Sequence, residues 1–526
     1  MKSNSISAKN FFRTIALLAA VVLLLSPVLF VAAHAVKGAS GEELAYYARV
    51  VLLSLLETTT LVLIITLLSA FLFGAVPAWL THHYRFVGRR FLVSLQLLPL
   101  AFPATVLTGT YLEASSRFGG PLALGLVLGA STSPWVYLFL RVALSRLPFV
   151  LVEAAQTLGL GWRKRLIKIY LPLLVLPILF SAILVSAEML SDFGAASRLG
   201  VETFSVGLHN QWQALQKVAV GTLMASVLLF GFIILAGPVT YVFLRRPVSH
   251  PASPSELLKS SSHEASKKKA FLVYLVCLVC VTPGFFAPLF LNIQWAIVKF
   301  PRARLDSLFL DAGGTILTAL SVVLVSLACA VIVSTVFRVG ERAALPERLV
   351  GLLCLNPLLP SLLFAFSILE LGKRGGLLSW LWVPLESSWL IIVMAQALRF
   401  LPFILIPVAD VLMRMPAHWA EAARTLGASA PRAYRQVILP QLRAPLAAGS
   451  LLIFVQSVNE LTLSLLLQPF NYQSLSLRIF SYTGIYMSKE ASIWVLLSLV
   501  ICIYPIAALS RLLDPPIRSG RGEPRA

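Results

Sequence analysis

The stretch EAARTLGASAPRAYRQVILP, residues 421–440, decides how the chain is read, because EAAQTLGLGWRKRLIKIYLP at 153–172 repeats it. At an offset of 268, eight of the 20 positions are identical, among them Glu153 with Glu421, Gly159 with Gly427 and Pro172 with Pro440. The match runs outward to Pro148 with Pro416 and Arg146 with Arg414. Such polar, basic segments stand out in a chain that is 58% hydrophobic and only 12% charged. A water-soluble domain is about a quarter charged, so this is the composition of a membrane protein. The mean hydropathy of +0.86 agrees.

A helix needs about 20 apolar residues to cross hydrocarbon. Runs of that kind lie near 12–36, 52–80, 91–112, 121–144, 173–195 and 217–244. Six more lie near 271–291, 311–337, 349–371, 388–413, 445–467 and 491–513. With the N-terminus inside, the inner segments carry 30 Lys and Arg and the outer ones 12, leaving Arg399 within a span. Basic residues collect on the cytoplasmic side, so both termini and both repeated segments are expected there. The excess of 43 basic over 22 acidic residues then reads as topology, and no nucleic-acid partner is expected.

Residues 245–270 are rich in Ser, Pro and Lys and lack apolar periodicity, which predicts a flexible linker. The expected fold is an all-α polytopic membrane protein of about twelve transmembrane helices, arranged as two six-helix repeats. An even number of spans per half makes the repeats parallel, related by an axis along the membrane normal. The segments are then a tail and first helix over 1–49, a first transmembrane domain over 50–244 and the linker over 245–270. A seventh helix with an outer loop follows over 271–310, then a second transmembrane domain over 311–513 and a tail over 514–526. The apolar run from Ile15 to Val36 reads as a retained anchor, although VAAHAV resembles a small-residue cleavage site.

In each repeated segment a proline at the start and a glycine past the end frame a short helix, 148–158 and 416–426. Leu151, Ala154, Ala155 and Leu158 share one face of the first, and Trp419, Ala422, Ala423 and Leu426 of the second. A short helix with an apolar stripe in a basic loop suits docking into a partner's groove. Glu153 and Glu421 would pair there with basic groups or backbone donors. The alternative is a surface helix packed on its own bundle, which does not account for two copies at matching topological positions.

The pattern E-A-A, Gly four residues on, Ile169 or Val437 ten residues beyond, and Leu-Pro soon after resembles the EAA loop of permease subunits of binding-protein-dependent ABC importers. The resemblance covers both six-span halves. It implies that the two short helices couple to two copies of a separate ATPase subunit. The coupling positions it implies are Glu153, Ala154, Ala155 and Gly159, with Glu421, Ala422, Ala423 and Gly427. It further implies an external substrate-binding protein as partner, residence in the cytoplasmic (inner) membrane, and no cofactor. The chain has no G-x-x-x-x-G-K-[ST] phosphate loop, since LGKRGG at 371–376 lacks the upstream glycine; a transport subunit rather than an enzyme is expected.

Carboxylates inside spans are costly and face a cavity or a partner. Glu188 and Asp192 align with Gln456 and Glu460 at the same offset, and each pair is one helical turn apart on one helix face. They are read as a polar, partly acidic translocation route between the halves; the other reading is that they cap helix ends. Nineteen residues from Leu173 climb about 29 Å at helical rise, which places Asp192 near the outer side. SDFGAASRLGVETFSVGLHNQW and NELTLSLLLQPFNYQSLSLRIF are similar to fused ferric-iron-type permeases, with thiamine, polyamine and aminoethylphosphonate relatives sharing much of the pattern. Fe³⁺ prefers hard oxygen ligands, and a permease needs only transient ones, so no stable metal site is expected. CLVC at 277–280 lies in an apolar run without a second Cys or His pair, and is read as buried thiols. His82 and His83, adjacent in a basic loop, offer no catalytic pair. A secondary transporter using Glu188, Asp192 and Glu460 as proton carriers leaves the duplicated segment without a role.

Overall fold

The computed structural model describes residues 50–145, 147, 149–214, most of 220–238, 263–299, 305–339, 361–372, 388–415, 418–485 and 487–513. Among them, eight helices are long and apolar enough to cross a membrane, or nine if a bent pair counts as one span. The remaining predicted spans, near 12–36, 217–244 and 349–371, fall wholly or in large part outside the described residues, as do 245–262 and the tail from 514. Apart from one two-residue parallel pairing, the architecture is helical.

The helix Leu52–His83 shows the inside-out pattern that a bilayer imposes. Leu53, Leu61, Ile64, Leu68 and Leu72 are exposed, whereas Thr59, Thr66 and Ser69 are buried. Lipid tails solvate leucine as well as a protein core does, so helices associate through small and polar residues instead. Gly125 and Gly129 of the helix Gly120–Ser145 meet that buried face. A Cβ on Gly129 would collide with the Ser69 hydroxyl, and one on Gly125 would stand 2.5 Å from Ile65. The approach lets Ser69 Oγ donate to the Gly125 carbonyl at 3.2 Å.

The sequence repeat reappears in the backbone. Turns of π-helix at Leu166–Tyr170 and Tyr434–Ile438 lead into helices Leu171–Ser191 and Leu439–Asn459, in the register that pairs Glu153 with Glu421. Pro177 and Pro445 lie at equivalent places inside those two helices. Short helices starting at Gly194 and Thr462 follow. Before the π turns, helices Phe149–Thr157 and His418–Thr425 end on Gly159 (φ +73°) and Gly427 (φ +82°). Just beyond each glycine, Leu160 N–H donates to Ala155 and Ala428 N–H to Ala423, both at 3.0 Å. This wrap of the last turn needs a left-handed residue, and glycine supplies it without strain. Nothing lies within 4 Å of a Cβ at either position, so only backbone strain opposes a larger residue. Gly159→Ala and Gly427→Ala are therefore each expected to cost about 1 kcal/mol, read as a small fall in melting temperature of the purified chain with no loss of yield.

Three boundaries differ from the sequence reading. The predicted span 91–112 is two helical segments, Arg89–Ala101 and Ala104–Ala114, meeting at 84°. Pro99 and Pro103 explain the break: proline removes an amide donor and disfavours helix in the residue before it, and Phe102 is extended. The spans near 173–195 and 445–467 stop at Ser191 and Asn459, because the next residue turns its carboxylate onto the following helix. The linker also ends earlier than residue 270. His263–Glu264 pairs with Tyr84–Arg85, and Ser266 Oγ accepts from Lys269 N–H to begin a helix at Lys267.

The helical run Lys267–Lys299 opens the second half yet packs on the first. Gln96 Nε2 donates to the Cys277 carbonyl at 3.0 Å, Tyr111 Oη to that of Pro283 at 2.5 Å, and Asn292 Nδ2 to Thr110 Oγ1 at 3.0 Å. Cys277 and Cys280 are buried free thiols of this helix. His82 and His83 are not in a loop, as expected, but close the helix Leu52–His83. Apolar residues continue to its end, and His82 is buried against Arg141 at 3.3 Å while His83 stacks on Trp79 at 4.2 Å.

Candidate functional site: a central acidic cavity and two paired surface helices

Residues at equivalent positions of the two halves can touch only close to the pseudo-two-fold axis, as in any isologous contact. Trp135 and Phe403 are such a pair. Their rings stack at 5.1 Å with an interplanar angle of 9°. Beside this stack lies a cavity of about 120 Å³. The first half lines it with the bend at 99–105, Ser131, Thr132, Glu188, Ser191 and Asp192; the second half adds Ser361, Arg399, Gln456, Asn459, Glu460 and Thr462. All four pathway positions named from the sequence therefore line one space on the axis between the halves.

Why these side chains converge follows from the broken helices. The bend at Phe102–Pro103 frees carbonyls, and backbone groups inside a membrane must be satisfied by protein. Asn459 Nδ2 reaches across from the second half to the Leu100 carbonyl at 2.7 Å. Its repeat equivalent, Ser191, accepts from Ser361 N–H at 2.9 Å, so each half secures the other. Asp192 Oδ1 accepts from Ala195 N–H at 2.7 Å and Ala196 N–H at 3.4 Å; Glu460 Oε1 accepts from Leu463 N–H at 3.1 Å. Capping and cavity lining, posed as alternatives by the sequence, thus coexist in the same two side chains.

Sequence reading passed over Arg399 as a charge inside a span. It is buried, and its guanidinium reaches Glu460 at 2.5 Å and Glu188 at 3.5 Å. The signal was present: an arginine deep within an apolar span, one turn after Gln396, is costly unless paired. Gln396 itself accepts from Ser457 Oγ at 2.5 Å and donates to Ser464 Oγ at 3.2 Å, fixing that turn against the helix that carries Glu460.

Ser131 lies near the middle of the 26-residue helix Gly120–Ser145, and Arg399 near the middle of the span Leu390–Leu412. Asp192 lines the same cavity, one residue beyond the end of its own span Trp162–Ser191. Leu174, near the start of the helix Leu171–Ser191, packs in one buried cluster with Leu144. Among the described residues, no three His, Cys, Asp or Glu converge as metal ligands.

The repeated segments form the second candidate site. Glu153, Ala154 and Leu158 are exposed on Phe149–Thr157 and the turn after it, whereas Ala155 is buried. In the second copy Trp419, Ala422 and Leu426 are exposed and Ala423 is half-buried. The stripe read from the sequence therefore divides. The second alanine of each EAA turns inward, and the outward face keeps the first alanine and a leucine. Side-chain surroundings of Leu151 and Glu421 lie outside the described residues.

Comparison with known proteins converges on transport. Residues 352–519 match the family described as the inner membrane component of binding-protein-dependent transport systems. The Fe(3+)-transport system permease protein FbpB 2 of Haemophilus influenzae is 24% identical over 508 residues, covering 92% of this chain and 95% of that protein. The sulfate permease CysT of Salmonella typhimurium is 36% identical over 89 residues, 17% of this chain and 32% of the relative. The spermidine/putrescine permease PotC of Escherichia coli is 31% identical over 158 residues, 29% of this chain and 56% of the relative.

Proposed function

We propose that this chain, which belongs to the permeases of binding-protein-dependent importers, conducts ferric iron handed over by an external binding protein across the inner membrane. As a multi-pass transport subunit it performs no hydrolysis in this reading. Two copies of a separate ATPase seat on the exposed faces of Phe149–Thr157 and His418–Thr425, on the cytoplasmic side with both termini. The observation that carries the iron reading is end-to-end similarity to an Fe(3+) permease, 92% of one chain against 95% of the other. The sulfate and polyamine relatives align over less than a third of this chain.

The mechanism follows from the site. ATP-driven closure of the ATPases moves the two short helices, and the halves rock about the Trp135–Phe403 axis as rigid bodies. Glu188, Asp192 and Glu460 offer hard oxygens to a cation along the route. A site of few carboxylates, two of them already in contact with one guanidinium, favours passage over capture, since conduction requires release as much as binding. The polyamine reading has its own support, because spermidine is a cation that the same carboxylates would suit.

ATP hydrolysis by the reconstituted complex separates the cargoes. The chain is assembled in proteoliposomes with its ATPase and with binding protein loaded with ferric iron or with spermidine. Hydrolysis stimulated by the ferric-loaded binding protein, with radioactive iron accumulating inside, is the expected result. Stimulation by spermidine and none by iron would end the iron reading.

A further inference from the structure

The cavity breaks the pseudo-symmetry at the position where symmetry would matter most. Arg399 stands where the first half has Ser131, and both side chains line the cavity. One half therefore supplies a fixed cation to a space that both halves furnish with carboxylates. Its contacts are unequal: 2.5 Å to Glu460 of its own half, 3.5 Å to Glu188 of the other. Arg399 Nε is buried without a hydrogen-bond partner among the described residues. Glu188 is the more open member, with its side chain 24% exposed against 8% for Glu460.

We propose that Arg399 is a tethered counter-cation that occupies the acidic route while cargo is absent, and that a cationic cargo passes by displacing it from Glu188. Glu460 retains the guanidinium throughout, as the shorter contact of the pair. The exchange replaces one charge by another without leaving Glu188 unpaired, which would be costly at this depth. A trivalent ion competes for Glu188 more strongly than a monovalent guanidinium does, whereas a weakly charged solute does not. Arg399 would therefore act as a specificity-determining residue against solutes too weakly charged to unseat it. This inference rests on the reading of the cavity as a cation route.

The test uses the full chain in lipid nanodiscs with terbium(III) as a hard trivalent probe, its luminescence sensitised by Trp135 in the same cavity. Wild type is expected to bind weakly and Arg399→Gln roughly tenfold tighter, because Glu188 and Glu460 are unmasked. Arg399→Gln with Glu188→Gln should return to the wild-type affinity, and Trp135→Phe should remove the signal. Equal terbium affinity in wild type and Arg399→Gln overturns the proposal. If Arg399→Gln does not fold, Arg399→Lys decides: its shorter, unforked charge should raise affinity about threefold, and an unchanged value overturns the proposal. Iron transport is scored separately. Failure of wild type to take up radioactive iron from its binding protein, with terbium masking intact, would sink the cargo reading and leave the role of Arg399 standing.

Discussion

Reversing the charge on both repeated segments, in Glu153→Arg with Glu421→Arg, is expected to abolish ATP-driven uptake while the chain remains folded in the membrane. Glu153 is exposed on a short helix, and surface substitutions away from caps and cores usually change stability by no more than about 0.5 kcal/mol. In the docking reading, what the substitution removes is an acidic partner for basic groups or backbone donors of the ATPase, and a mismatched charge across a docking surface costs several kcal/mol. Each half would grip one ATPase, so either single variant should keep part of the activity and the pair should lose it. Uptake and co-purification of the ATPase are measured together. Wild-type uptake by the double variant, or loss of uptake with the ATPase still fully bound and active, would remove the docking role.

Much of this organisation was legible because it was written twice. A periodic apolar run predicts a span, but an internal repeat predicts where two spans must match, and the helices Leu171–Ser191 and Leu439–Asn459 do so residue for residue. The glycines after EAA were readable for the same physical reason that they are needed, a left-handed turn that no bulky residue adopts cheaply. Where the reading stopped was at long-range pairing. Glu188, Asp192, Gln456 and Glu460 announced themselves as polar groups in apolar runs, but Arg399, the partner of Glu188 and Glu460, sits on a different span from any of them. No local pattern brings those positions together. The stripe of the short helices failed for a smaller reason. Helical spacing gives the face but not which way that face turns, and burial of Ala155 shows that half of it turns inward.

Removing the guanidinium should be worse than removing it together with its partner. Arg399→Ala leaves Glu460 buried beside Glu188 with no counter-charge, and breaking a buried pair on one side costs about 3–5 kcal/mol. Arg399→Ala with Glu460→Gln removes the stranded charge while the amide oxygen can still accept from Leu463 N–H, so the cap on the helix Thr462–Leu467 survives. The double variant is therefore expected to recover at least half of the loss. Two independent losses would instead add, because uncoupled sites sum to within about 0.3–0.5 kcal/mol. Melting temperatures of wild type, both single variants and the double variant, in one lipid environment at neutral pH, complete the cycle. A double variant less stable than Arg399→Ala would mean that Glu460 is held by something other than Arg399. Recovery would establish that the second half neutralises its own carboxylate from within, which leaves Glu188 of the first half as the group free to change partners.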